Sequence, residues 1–318
     1  ISIDELIKKL KPSILILGNE YQDNNLLKSS IDIQCKLGGK VEFHAGDVHY
    51  ASSDLLKRSQ QDLFQKRKSQ FLKACKKQNI KLNDLIDAIE DWKESRLIIL
   101  GDTIVDQYSA CEAIGMSAEA PVVVVRELEN KNFIGGAAVV ASHVRALGAK
   151  CDLVSVTGND DASEYVKKEL SNLGIGNGLI EDDGRPTTFK KRYLVENQKL
   201  FRVSRMKEHN ITREIEDKII LKLEELAPEA DGIVVSDFVY GVITERILNC
   251  LNDLSRKYEL LLFGDLQCSS QVGSILRFKD FTLLCPNERE ARIALQDKDC
   301  GLEQLSNKIF KNTGCKNL

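Results

Sequence analysis

Five apolar runs recur along the chain with a regular beat: RLIILGD (96–102), CDLVSVTGND (151–160), DGIVVSDF (231–238), LLLFGD (260–265) and FTLLCPNERE (281–290). Each carries an acid or an amide at or next to its end, and helical patterns of about 12–16 residues separate them. Strands that are apolar throughout are buried on both faces, so the beat predicts an α/β fold, a mostly parallel sheet with helices on either side. In such sheets ligands bind at the carboxyl ends of the strands, which is where the polar residues recur. Two stretches break the beat. Residues 104–128 and 186–205 alternate β-branched and aromatic side chains with no helical pattern between them. They read as a small β layer across the crevice, suited to a lid that excludes water.

The front of the chain has a different texture. It reads as helix (2–9), strand (13–18), helix (about 24–37), strand (40–44) and a helix from Ser52. Two strands are too few for a sheet of their own, so residues 1–57 look like the second half of an α/β domain. Residues 58–95 are charged and lack Gly and Pro, as a helical connector would. Leu82, Leu85, Ile86 and Ile89 fall on one stripe there, with Asn83 as candidate N-cap. The second domain then spans 96–318. The chain begins at Ile1 and ends in the apolar approach to CKNL, which suggests a fragment cut at both ends.

Bulk properties exclude several classes. A net charge of −3 over 318 residues offers no basic field for nucleic acid. No apolar run reaches the roughly 18–20 residues of a membrane span. The nine cysteines are scattered without C-x-x-C spacing, as expected of reduced thiols in a cytoplasmic protein. His44 and His49 lack the cysteines or carboxylates that would complete a metal site.

Candidate site residues lie at the strand ends and in the lid. Asp102 and Asp106 flank one strand exit, and a carboxylate suits sugar hydroxyls because each oxygen accepts; a turn aspartate is the alternative. Gly135 and Gly136 open an alanine-rich helix, either as a tight turn or because a ligand approaches the backbone there. Asn287 and Glu290 occupy a first helical turn after Pro286. A carboxylate there can hold hydrated Mg²⁺ or complement the helix dipole. Lys190, Lys191, Arg192, Arg202 and Arg205 crowd the second lid stretch. Lys190 and Arg192 point together on a strand, toward a substrate phosphate or toward solvent.

Taken in order, GDTIVDQY, SAEAPVVVV, IGGAAVVASHVRALGA, VTGNDD, VVSDFVYG and LLCPNEREA resemble the ribokinase-like (PfkB-type) sugar kinases. They are most similar to the kinase half of bifunctional heptose-7-phosphate kinases/heptose-1-phosphate nucleotidyltransferases, which make ADP-heptose. The resemblance covers 96–318. Residues 1–57 resemble the end of a cytidylyltransferase-like domain, with Gly18, Tyr21, Ser52 and Ser53 as nucleotide-site candidates. The resemblance implies ATP-dependent phosphorylation of a sugar. Asp102, Asp106, Gly135, Gly136, Lys190, Arg192 and Arg202 would hold the substrate. Asn287, Glu290 and Asp237 would lie by Mg-ATP, with Glu290 holding Mg²⁺ through water. It also implies a homodimer through the β lid. The family's catalytic base, in a Gly-Ala-Gly-Asp segment, would fall beyond Leu318. Val139 stands where many relatives place Asn, Tyr240 and Gln267 where heptose enzymes tend to have Lys, and Leu17 and Asn19 depart from the transferase's pattern. The second reading is a non-catalytic sugar- or nucleotide-binding regulatory relative.

Overall fold

The computed structural model describes residues 3–18, 27–45, 60–195, 198–268 and 272–318. The chain divides into two compact units, Ile1–Lys81 and Leu82–Leu318. The first holds helix Ile3–Leu10, β1 (Ile14–Gly18), helix Lys28–Lys36, β2 (Lys40–Ala45) and helix Gln60–Lys77. β1 and β2 pair in parallel, with Gly18 opposite Ala45. The buried Gln34 side chain donates to Pro12 O at 2.6 Å and so ties the second helix to the approach of β1. Gly18 thus ends a parallel strand, whereas Tyr21, Ser52 and Ser53, and the helix expected from Ser52, lie outside the described residues.

Helix Leu82–Trp92 opens the second unit. It begins on Leu82, so Asn83 is its second residue and not its cap. Asn79, with φ 55°, turns the chain after helix Gln60–Lys77. The expected stripe forms but is not buried: Leu82, Ile86 and Ile89 are 70%, 47% and 43% exposed.

Ten strands follow: β3 (Arg96–Gly101), β4 (Thr103–Met116), β5 (Val123–Gly136), β6 (Lys150–Thr157), β7 (Gly176–Glu181), β8 (Thr188–Val195), β9 (Gln198–Arg205), β10 (Gly232–Asp237), β11 (Leu261–Leu266) and β12 (Leu283–Leu284). Six form the main sheet in the order β12-β11-β10-β3-β6-β7, with every neighbouring pair parallel. Successive residues of β3 feed opposite cores. Ile98 and Leu100 pack with helices Arg213–Leu226 and Glu245–Tyr258, and Ile99 packs with helices Ala137–Ala146 and Asp161–Leu173. This double burial is why β3 is apolar throughout.

Two details differ from the beat. β7 is an extra strand at the sheet edge, where GNGLIE needs few apolar residues. Between β11 and β12 the described residues hold no α-helix, only a 3₁₀ turn, Ile275–Arg277. Phe278 and Phe281, fully buried and stacked at 5.1 Å, fill the space there.

The two irregular stretches form one four-stranded sheet, β5-β4-β8-β9. β4 and β5 make a long antiparallel hairpin from Thr103↔Gly136 to Met116↔Val123. β8 runs parallel to β4, and β9 returns antiparallel to β8. The hairpin is longer than expected: β5 runs straight into helix Ala137–Ala146, so Gly135 and Gly136 end a strand. No helix of the described residues is long and apolar enough to cross a membrane.

Candidate functional site

The chain path reverses between β3 and β10, since the sheet grows through β6 and β7 on one side and through β11 and β12 on the other. A crevice at the carboxyl ends of such a pair is a favoured ligand position. Ser236 is in register with Gly101, so the next residues, Asp237 and Asp102, leave the sheet side by side. They are 1% and 2% exposed.

Asp102 Oδ2 accepts hydrogen bonds from Phe238 N at 2.8 Å and Tyr240 N at 3.3 Å, while its Oδ1 is buried without a partner. Asp237 Oδ1 accepts from Val239 N at 2.8 Å. Its Oδ2 has no hydrogen bond, though Arg277 Nη1 approaches to 3.6 Å. Burial above all, and then the Asp237 charge, push the Asp102 carboxyl up to about 7, against the N–H groups of Phe238, Tyr240 and Val242. Burial raises Asp237 too, with Arg277 opposing it. The pair therefore holds a proton near neutrality that neither acid would hold alone in water.

The two glycines answer to these acids. Gly136 has φ 59°, and a Cβ there would lie 2.1 Å from Asp102 O. A Cβ on Gly135 would lie 2.6 Å from Asp106 Oδ2. Both are glycine because the site's own aspartates occupy the space. Ala137 N donates to Asp102 O at 2.9 Å, which ties the helix start to the same residue.

The lid sheet contributes the positive charge. Asp106 on β4 is paired with Arg192 on β8, whose guanidinium lies over the Tyr108 ring at 5.3 Å. Lys190, opposite Asp106 in register, is 4% exposed and rests over the Phe238 and Tyr240 rings. Arg202 is opposite Arg192 on β9 and exposed. Lys191 and Arg205 are turned to other partners, Glu127 at 2.6 Å and Asp160 at 3.7 Å.

Asn287 and Glu290 form a reciprocal capping box on helix Glu288–Leu295. Asn287 Oδ1 accepts from Glu290 N, and Glu290 Oε2 accepts from Asn287 N, both at 2.9 Å. Glu290 Oε1 accepts from Cys268 N at 3.4 Å. Burial, and then the Glu290 charge, raise the Asp265 carboxyl at the end of β11. Asp237 leaves β10 beside Asp102, at a different strand end from Asn287 and Glu290.

A hollow of about 570 Å³ on the lid is lined by Asp106, Tyr108, Phe133 and Leu194 among others, and one of about 590 Å³ opens beside Glu288, Arg292 and Ile293. Neither is lined by Asp102 or Glu290. Sequence reasoning noted Tyr240 only as a departure from the heptose enzymes' pattern; it missed Phe238, which no charge or glycine marks, and Arg277, which lies in the stretch where a helix was expected.

A parallel sheet with buried acids at its switch point, joined to a small second sheet that carries Lys190 and Arg192, defines the class: an α/β protein with a crevice at its strand ends. Residues 94–317 match the pfkB family carbohydrate kinase description, and the chain belongs to that family. It is 31% identical over 216 residues to the bifunctional protein HldE of Helicobacter hepaticus, covering 67% of this chain and 44% of that protein. It is 30% identical over 231 residues to HldE of Desulfatibacillum aliphaticivorans, covering 71% and 46%. The chain thus spans about half the length of these relatives. Among solved structures, the tetrameric inhibited form of phosphofructokinase-2 from Escherichia coli superposes with a TM-score of 0.56 at 15% identity, covering 70% of this chain and 72% of that one. Ribokinase from Giardia lamblia gives 0.53 at 14% identity, covering 69% and 71%. Both share its ribokinase-like fold.

Proposed function

We propose that the protein transfers the γ-phosphoryl group of Mg-ATP to a hydroxyl of a sugar phosphate, with heptose 7-phosphate the first candidate. The observation that carries this reading is the open oxygen of Asp102. A buried carboxylate oxygen without a donor at the sheet's switch point is an unmet demand for a hydroxyl. Asp102 would orient the sugar, Lys190 and Arg192 would face its phosphate, and Arg202 would close the outer edge. Gly135 and Gly136 let the two aspartates sit this close to the strand. In-line transfer of this kind depends mostly on positioning and charge neutralisation.

Magnesium would bridge phosphate oxygens and neutralise their charge. The residues fit an ion held through water: both Glu290 oxygens already accept from the backbone, yet each carboxylate oxygen keeps a second lone pair for a metal-bound water. Among the described residues no cluster of three ligating side chains exists, so an all-protein cage does not fit. Asn287 orients Glu290 through the capping box.

Three finer readings belong to the same proposal. The likeness to bifunctional relatives supports a nucleotidyltransferase half at 1–57, a helical link over 58–95 and a kinase domain from 96 onward, all serving cytoplasmic nucleotide-sugar synthesis. Exposed apolar side chains on the lid strands, Val123, Leu128, Phe133 and Phe201, support a homodimer formed through the lid. Light scattering at twice the protomer mass, lost on Phe133→Glu, is expected. The decisive experiment is a screen of heptose, hexose and pentose phosphates with Mg-ATP and the intact protein. Phosphorylation of one class is expected. A protein that binds sugar and nucleotide but transfers nothing favours the regulatory relative instead.

A further inference from the structure

Arg185 is a charged side chain to which the kinase reading gives no task. It stands just before β8 and is only 8% exposed. Its guanidinium donates inward: Nε to Asp182 Oδ2 at 3.1 Å, Nη1 to Tyr240 O at 3.2 Å and Nη2 to His209 O at 2.9 Å. These partners belong to separate segments. Asp182 follows β7, and its N–H donates to Thr157 O at the end of β6 at 2.9 Å. His209 follows β9. Tyr240 follows β10 and belongs to the turn that holds Asp102. Arg185 therefore reaches both roots of the β8–β9 pair and the turn of the site's central acid.

Neighbouring contacts join the same segments. Gly241 has φ 92°, and a Cβ there would lie 2.2 Å from His209 O. Ile211 N donates to Gly241 O at 3.0 Å, and Lys207 Nζ to Gly184 O at 2.7 Å. The turn between them is strained. Val239 has φ 63°, a left-handed conformation that a β-branched residue seldom takes and that persists only where its surroundings fix it. Tyr240, the next residue, is held at two points. Its N–H donates to Asp102 Oδ2, and its carbonyl accepts from Arg185. A buried ion pair is seldom the most stabilising way to fill space. What a planar guanidinium adds is direction, since its donors form a rigid fork that an ammonium group cannot copy.

We propose that Arg185 is a positioning residue: it ties both roots of the lid's β8–β9 pair to the Phe238–Tyr240 turn and so sets where the open oxygen of Asp102 stands. This rests on the sugar-kinase reading above. Arg185 acts on the sugar through Asp102, and the lid roots and the acid's turn move as one body.

The test is a double-mutant cycle on the intact protein. Calorimetry, by competition where binding is weak, gives affinities for heptose 7-phosphate and for Mg²⁺ with a non-hydrolysable ATP analogue. Urea titration gives stability. Arg185→Lys keeps the charge beside Asp182 but cannot span both carbonyls. It should weaken sugar binding about tenfold and leave nucleotide binding within about twofold. In an Asp102→Asn background the same change should cost the sugar less than about threefold, because the oxygen it positions is already lost. Asp182→Asn removes the counter-charge but keeps both carbonyl bonds. It should lower the urea midpoint and leave sugar affinity within about twofold. If Arg185→Lys does not fold, Arg185→Gln takes its place, since its amide still donates to one carbonyl and buries no charge. Unchanged sugar affinity in the Arg185 variant, an equal loss with and without Asp102, or sugar and nucleotide affinities that fall together would overturn the inference and leave the kinase reading standing. A wild type that binds nucleotide but no sugar phosphate overturns both.

Discussion

Asp102 and Glu290 look alike in the sequence: each is an acid just past an apolar strand, and each is more than nine-tenths buried, at 2% and 7% exposure. The structure separates them by what their oxygens touch. Both oxygens of Glu290 accept backbone N–H groups, one within a reciprocal helix cap. Asp102 has one oxygen held by the Phe238–Tyr240 turn and one with no partner. At Glu290 the fold uses the carboxylate, and a ligand gains only its charge. At Asp102 the fold bears the cost of an unpaired buried lone pair, which a ligand hydroxyl would remove. Burial does not separate these two acids; the number of satisfied oxygens does.

The comparison breaks most violently at Gly136. An alanine there combines left-handed strain, roughly 1–2 kcal/mol, with a Cβ placed 2.1 Å from Asp102 O. Gly136→Ala should lower unfolding stability by about 3 kcal/mol or more and abolish sugar binding. Gly301, at the start of helix Leu302–Thr313, has open space around its would-be Cβ. Gly301→Ala should shift stability by less than about 0.5 kcal/mol. Urea titrations measure both, and a Gly136→Ala protein as stable as Gly301→Ala would remove the steric account of the site.

Asp102→Asn comes next. It keeps the size but replaces the open acceptor or the backbone-held one with a donor, so sugar affinity should fall about 100-fold, or about 2.7 kcal/mol. Stability should change in the other sense. The Asp102 carboxyl titrates near 7 when folded and near 3.9 when unfolded. Between those values the folded state binds the extra proton, so stability contributed by the neutral acid is present at low pH and declines as pH rises through about 7. Asp102→Asn should flatten that decline. A wild-type melting temperature independent of pH between 5 and 8 would contradict a buried, raised acid pair.

The main sheet was legible because double burial forces continuous apolar strands, and β3 shows it residue by residue. β7 was not, because an edge strand such as GNGLIE needs little apolar surface. The segment before β12 was misread because Phe278 and Phe281 do by aromatic packing what a helix does elsewhere. Asp102, Asp106, Lys190 and Arg192 were legible as a set, since chemistry limits where charges can be buried. Their pairing was not: period alone could not say that Arg192, and not Lys190, takes Asp106. The strained turn at Val239 was invisible too, because nothing in SDFVYG signals φ above zero at a valine. Gly135 and Gly136 were found as special, but the reason lay in the aspartates, which are distant from them in sequence.

The smallest effect sharpens the nucleotide end. Asn287 accepts one N–H and orients Glu290, so Asn287→Ala should cost about 1 kcal/mol as an ordinary lost cap. Glu290→Gln should cost a similar amount, because its amide puts a donor against Asn287 N or Cys268 N. If Glu290 were only a cap, the two variants would be interchangeable in every assay. If its charge also holds hydrated Mg²⁺, Glu290→Gln should raise the magnesium midpoint of nucleotide binding several-fold and clearly more than Asn287→Ala does, because only the first variant removes the charge. Equal midpoints for the two would make the capping box the whole account of Glu290 and leave Asp265, whose carboxyl responds to the Glu290 charge, as the acid to examine next at that strand end.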